Sequence, residues 1–168
     1  MSQTLIGILM GSDTDLPVMS QAAKILKQFG VGFEIEITSA HRSPQRTSEY
    51  ARTAAQRGIK VLIVGAGAAA ALAGVVAAET ILPVIGVPMA TSPLSGFDAL
   101  LSTAMMPAGV AVATMAVGEA GARNAAILAI SILALGDAQL TEKLLAHKQE
   151  LERSVREKSE RVKAEFKI

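Results

Sequence analysis

The chain has 168 residues, of which 51% are apolar and 18% charged, with a formal net charge of +1. That length and composition suit one globular domain with a real core and argue against disorder, and the balanced charge, with no basic cluster before the C-terminal segment, gives no support to nucleic-acid binding. There is no cysteine, which removes disulfides, thiolate metal sites and a cysteine nucleophile, and with 3% aromatic residues the core must be built from Ala, Val, Ile, Leu and Met.

Strand and helix signals alternate along the chain. "TLIGILM" (4–10) is a short apolar run that suits a strand buried on both faces. "DLPVMSQAAKILKQFG" (15–30) predicts a helix, with Asp15 as a possible cap, Pro17 in its first turn and Gly30 as its stop. "FEIEITS" (33–39) alternates, with Phe33, Ile35 and Ile37 on one face and Glu34 and Glu36 on the other. That pattern predicts a strand exposed on one side, at a sheet edge. Residues 44–58 read as a polar helix ending at Gly58, and "KVLIVGAG" (60–67) as the third strand, followed by an Ala-rich helix to about Glu79. "LPVIGVPM" (82–89) is the fourth strand, 96–105 a helix, and "GVAVATMAV" (109–117) the fifth strand. The helix expected at 122–136 is apolar around nearly its whole circumference. It suits a core helix between the sheet and the C-terminal segment, a subunit interface, or some of each. Residues 137–168 are highly charged and read as one or two exposed helices.

Strands alternating with helices predict an α/β fold, a parallel sheet with right-handed crossovers and helices on both faces. The edge character of the second strand predicts the flavodoxin-like order 2-1-3-4-5. The expected organisation is a single domain over 1–168, with a core at 3–136 and a helical extension at 137–168. "VLIVGAGAAAALAGVVAA" (61–78) has 18 residues without a polar side chain, the length of a short membrane span. It divides, however, into a β-branched strand, a glycine turn and an Ala-rich helix. The N-terminus has no basic region, and its apolar run is too short for a secretory signal. A cytoplasmic protein without a membrane partner is expected.

In open parallel sheets ligands bind beyond the carboxyl ends of the strands, at the switch point of strand order. Order 2-1-3 makes neighbours of three loops: "GSDTD" (11–15), "SAHRSP" (39–44) and "GAGAAA" (65–70). The first opens a helix, so its N–H groups favour an anion; Ser12 suits a phosphate oxygen and Asp15 the hydroxyls of a sugar. Plain capping by Ser12, Asp13 or Asp15 is the simpler alternative. In the second loop Arg42 can hold a phosphate bidentately, and histidine is the side chain that ordinarily exchanges protons near neutral pH. His41 is therefore a candidate acid/base, although a surface-loop histidine is often inert. The other histidine, His147, falls in the charged tail and reads as part of a solvated helix face. The third loop resembles a degenerate dinucleotide fingerprint, but the next strand lacks the acidic residue that such a site needs. Its glycines suit close approach of backbone to a small substrate. No Walker A sequence, zinc-protease helix motif, metal-spaced carboxylate–histidine cluster or G-x-S-x-G elbow is present.

In this order and spacing, "MGSDTD" (10–15), "SAHRSP" (39–44), "GAG" (65–67), "AAETILPVIGVP" (77–88), "LSGFDALLS" (94–102), "MPAGVAVAT" (106–114) and "NAAILA" (124–129) resemble the bacterial class of the N5-carboxyaminoimidazole ribonucleotide mutase family of purine biosynthesis. The resemblance implies a three-layer αβα subunit, a homo-octamer, and a reaction without metal or organic cofactor. The carboxylate of a carbamate on the exocyclic amine of a ribonucleotide is moved to the imidazole carbon, through release and recapture of CO2. By the same resemblance His41 is the general acid/base. Ser12, Ser39 and Arg42 hold the phosphate and nearby groups, Asp15 the ribose, and backbone at Ala40 and from Gly67 through Ala68 to Ala70 lines the base and CO2 pocket. The chain departs from the family at one loop. Relatives read "AAHLPG" where this chain reads "AAALAG" (69–74), so Ala71 stands at the family's histidine and Ala73 at its proline. Two other functions fit the same residues: carboxylation of aminoimidazole ribonucleotide by free CO2, and ribonucleotide binding without turnover.

Overall fold

The computed structural model describes residues 3–166. The backbone divides into two compact units, one running to Ile132 and the other beginning at Leu133. The first contains strands β1 (Thr4–Met10), β2 (Gly32–Ile37), β3 (Val61–Gly67), β4 (Val84–Met89) and β5 (Ala113–Thr114). Between them lie helices α1 (Leu16–Phe29), α2 (Pro44–Ala54), α3 (Leu72–Glu79) and α4 (Phe97–Ala104), and α5 (Glu119–Ala134) follows. The strands form one sheet in the order β2-β1-β3-β4-β5, and every pair is parallel. The flavodoxin-like α/β order predicted from the edge character of the second strand is the order found.

Burial explains the layers. Nearly every residue of β3 and every residue of β4 is buried, so both faces of the sheet are covered. Leu62 and Val64 of β3 join Leu9 in a cluster with Ala51 and Ala54 of α2 and Leu72, Ala73 and Val76 of α3. Side chains alternate along a strand, so Ile63 and Gly65 face the other way. There Gly65 meets Met19 of α1: a Cβ on Gly65 would come within 2.6 Å of Met19 Sδ and of Met89 Cε. Helices α2 and α3 thus cover one face and α1 the other. α5 lies beside α1, where Arg123 Nη2 donates to Gln21 Oε1 at 3.1 Å.

β2 lies at the sheet edge and is exposed on one side, as its alternation predicts, and the open side is that of the isoleucines: Ile35 and Ile37 are 42% and 44% exposed. The cause is the polar face of α2. Glu34 accepts from the Tyr50 hydroxyl at 2.7 Å and from Arg57 Nη2 at 3.0 Å, and Glu36 pairs with Arg46. Burial, and then the bond to Glu34, push the Tyr50 hydroxyl well above its ordinary pKa. The fifth strand is only two residues long. Val110 N–H closes a turn on Pro107 O at 3.1 Å and Gly109 adopts a φ of +95°, which takes up the start of the expected strand. Single bonds from Met115 N–H to Gly86 O and Gly118 N–H to Pro88 O extend the pairing without a regular ladder. α5 is fully buried along one face only. Gly121, Ala122, Ala125, Ala126, Ala129 and Ile130 form a buried face of mostly small residues at helical spacing, and the bulkier Ile127 and Leu128 are half-buried.

The second unit holds α6 (Ala138–Phe166), a single 29-residue helix where one or two were expected. Lys167 and Ile168, at the end of that expected segment, lie outside the described residues. Asp137 starts the helix by accepting N–H bonds from Gln139 and Leu140 at 2.9 and 3.1 Å. Along it, pairs such as Glu152–Arg156 and Glu160–Lys163 lie at helical spacing on a solvated surface. Among the described residues no helix is long and apolar enough to cross a membrane. The run 61–78 is resolved into β3, a loop and most of α3.

Candidate functional site

Parallel pairing aligns the carboxyl ends of β2, β1 and β3: Met10 lies opposite Ile37 on one side and Gly65 on the other. Two bonds extend this alignment into the loops. Thr38 N–H donates to Met10 O at 3.0 Å, and Gly11 N–H to Gly65 O at 3.2 Å. The three loops that follow enclose a pocket of about 350 Å³, within the range of small-molecule sites. Its lining contains every residue singled out from sequence: Ser12 and Asp15 from the first loop, Ser39, Ala40, His41 and Arg42 from the second, and Gly67, Ala68 and Ala70 from the third. His147 is on α6, in the second unit.

The first loop is built as the capping reading expects. Ser12 and Asp15 form a capping box around a single 3-10 turn (Asp13–Asp15). Ser12 Oγ accepts Thr14 N–H at 3.3 Å, and Asp15 Oδ2 accepts Ser12 N–H at 3.2 Å. Asp15 does not cap α1 itself through its side chain. The Ser12 hydroxyl donates to Asp13 Oδ1 at 3.0 Å, so meeting a phosphate requires it to exchange that partner. Asp15 is 4% exposed. Burial raises its pKa above the ordinary carboxylate value, the N–H bonds from Ser12 and Gly11 oppose the rise, and the neighbouring Asp13 charge adds to it.

The second loop presents exposed His41 and Arg42 side chains on a braced backbone. Arg42 N–H donates to Ser39 Oγ at 3.2 Å, and Arg42 Nη2 reaches across to Gly11 O at 3.2 Å. The third loop supplies a wall of methyl groups. Ala68 and Ala70 there have φ of 51° and 38°, the left-handed region, which costs a non-glycine residue about 1–2 kcal/mol. Gly67 has no room for a side chain, because a Cβ would overlap Thr91 Oγ1. Ala71 also lines the pocket and adds only a methyl group there. Among the described residues no cluster of His, Asp and Glu is arranged to hold a metal ion.

Sequence reasoning missed Thr14 and Thr91, which also line the pocket. Thr91 follows the carboxyl end of β4, so the strand-end rule applied to the first three strands would have found it. Thr14 lay inside the quoted "GSDTD" and was passed over for its charged neighbours.

A parallel flavodoxin-like sheet with a pocket at its 2-1-3 switch point, lined by polar side chains on one side and alanines on the other, has the layout of α/β proteins that bind small molecules. Residues 5–154 match the model of the AIR carboxylase family, and the chain belongs to that family. It is 52% identical over 158 residues to the N5-carboxyaminoimidazole ribonucleotide mutase of Pyrococcus horikoshii, covering 94% of this chain and 88% of that one. It is 60% identical over 126 residues to the phosphoribosylaminoimidazole carboxylase of Candida albicans, covering 75% of this chain but 22% of that one. Its backbone superimposes on the crystal structure of Treponema denticola PurE with a TM-score of 0.86 at 28% identity, over 95% of this chain and 99% of that one.

Proposed function

We propose that the chain converts N5-carboxyaminoimidazole ribonucleotide to 4-carboxy-5-aminoimidazole ribonucleotide, an intramolecular carboxylate transfer in purine biosynthesis. The observation that carries this reading is the gathering of all nine sequence-selected residues in one pocket, in a chain closely similar to named mutases.

The reaction breaks the N–C bond of the carbamate and releases CO2. It then forms a C–C bond as the ring carbon attacks that CO2. One proton arrives at the exocyclic nitrogen and one leaves the ring carbon, so the isomerisation consumes none overall. A single imidazole can make both transfers, and His41 is assigned that role. Arg42 and Ser39 are assigned to the phosphate, with Ser12 once its hydroxyl leaves Asp13, and Asp15 to the ribose hydroxyls. The backbone of Ala40, Gly67, Ala68 and Ala70 lines the part that receives the base and CO2. There the methyl wall from Ala68 to Ala71 borders the released CO2 beside the carbon nucleophile. No bond in this sequence is oxidised or reduced, and the chemistry proceeds without an organic cofactor.

A homo-octamer in the cytoplasm belongs to the same reading. The exposed apolar stripe of Leu94, Phe97, Leu101 and Met105 suits burial between subunits, and sedimentation should give an assembly of eight 17.4-kDa chains. The decisive assay follows loss of the carbamate ribonucleotide and appearance of the carbon-linked carboxylate without added bicarbonate. A second reading, carboxylation of aminoimidazole ribonucleotide by free CO2, has the similarity to the fungal carboxylase in its favour. Turnover that requires added bicarbonate, with none from the carbamate, selects it. Ribonucleotide binding without either turnover would leave a binding protein.

A further inference from the structure

Beneath the His41 loop three hydroxyls that touch none of the pocket lie in a chain. Thr38 and Thr47 are buried, at 2% and 0% exposure, and Ser43 is half-buried. Thr38 Oγ1 and Thr47 Oγ1 are 2.7 Å apart, and Thr47 Oγ1 donates to Ser43 O at 3.2 Å. Ser43 Oγ accepts the Ser39 N–H at 3.0 Å and donates to Ser39 O at 3.2 Å. Thr38 Oγ1 also lies 3.4 Å from Ser43 Oγ.

Each hydroxyl has one proton to give, and Ser43 gives its own to Ser39 O. The other two protons satisfy the chain in either of two ways: Thr47 to Ser43 O with Thr38 to Thr47, or Thr47 to Thr38 with Thr38 to Ser43 Oγ. In both, the chain ties Thr38, whose N–H is bonded to the end of β1, to Ser43, which clasps the first and last residues of the loop together. A buried hydroxyl without a partner costs more than its bond returns, and in this loop conformation all three are satisfied. Residues 40 to 42 are carried on that clasp, and Arg42 is the residue that reaches Gly11 O.

We infer that Thr38, Ser43 and Thr47 are positioning residues for the proposed reaction: they set the orientation of His41 and Arg42 by fixing the loop from beneath. The inference rests on the mutase reading, and it has a readout independent of it. Removing the Thr47 hydroxyl in Thr47→Val preserves side-chain shape and deletes its hydrogen bonds. In folded protein, kcat for the carbamate ribonucleotide is expected to fall about 10- to 100-fold, the penalty of a misplaced catalytic group, and Thr47→Ser should restore most of it. Ser43→Ala opens the clasp from the less buried side and should do the same, with Ser43→Thr as the rescue.

In both Thr47→Val and Ser43→Ala, hydrogen exchange at the Ser39 amide should accelerate at least about tenfold, because its acceptor is lost or released. If Thr47→Val does not fold, Ser43→Ala decides the matter alone. Unchanged kcat and unchanged Ser39 exchange in a folded variant overturn the inference, as does a loss of thermal stability with full activity per folded molecule. If the wild-type chain fails to turn over the carbamate, the mutase reading fails, and Ser39 exchange still reports whether the clasp holds the loop.

Discussion

Arg42 Nη2 donates to the carbonyl oxygen of Gly11 across 3.2 Å, joining two loops that are 31 residues apart in sequence. The bond sits where the β1 and β2 loops meet and leaves the other guanidinium donors for a ligand. Arg42 braces the pocket, and in the proposed reaction it also meets the substrate's phosphate. In Arg42→Ala substrate binding should weaken by about 1.5–3 kcal/mol, roughly 10- to 150-fold in KM. Arg42→Lys keeps the charge but loses the planar fork and should fall between the two. Steady-state kinetics measures both, and an unchanged KM in Arg42→Ala would remove the phosphate contact.

Asp15 binds its proton more tightly in the folded chain than in the unfolded one, mainly through burial. A raised carboxyl pKa contributes stability that is present below the unfolded value of about 3.8 and lost as pH rises through the folded value. Asp15→Asn removes that loss and can still accept the Ser12 N–H. Its Tm should exceed that of the wild type at pH 7, with the gap closing toward pH 3, while KM rises as the sugar contact weakens. Thermal unfolding across that pH range tests the sign; a variant less stable at pH 7 than at pH 3, relative to wild type, would contradict it.

Ala68 carries backbone strain that glycine would not. Ala68→Gly should raise stability by about 0.5–1 kcal/mol, the relief of a left-handed alanine less the added chain entropy of glycine. Denaturant unfolding gives the figure directly. A loss of stability would mean that the Ala68 methyl group packs more strongly than its strained backbone costs.

Gly67 faces the opposite constraint. Gly67→Ala drives a methyl group into Thr91 Oγ1 and should destabilise the chain by about 1–3 kcal/mol. Adding Thr91→Gly should recover most of that loss. A double-mutant cycle in unfolding free energy measures the coupling, and strict additivity would show that the two residues do not meet.

The fold was legible because local patterns agreed with tertiary outcome. Apolar runs at 4–10, 60–67 and 82–89 became the central strands, and one edge-like pattern fixed the order. What was not legible was partner-dependent. The alternation of β2 does not say which of its sides is open, because nothing in its own segment shows that Arg46, Tyr50 and Arg57 of the α2 region cover the glutamates. The fifth strand looked long because β-propensity at 109–117 takes no account of the turn at Pro107. At the pocket, charged and glycine-rich loop residues stood out, whereas Thr38 and Thr47 did not. A buried hydroxyl chain depends on residues five and nine positions apart meeting in space, which no residue type announces.

The most direct test of the proposed mechanism is the rate at which His41→Asn converts the carbamate ribonucleotide to the carbon-linked carboxylate. His41 is the only imidazole lining the pocket. Turnover should fall by about 10²–10⁴-fold, with ribonucleotide affinity and far-ultraviolet dichroism close to wild type. Conversion at a rate near that of the wild type would contradict the assignment of His41 as the group that moves the proton.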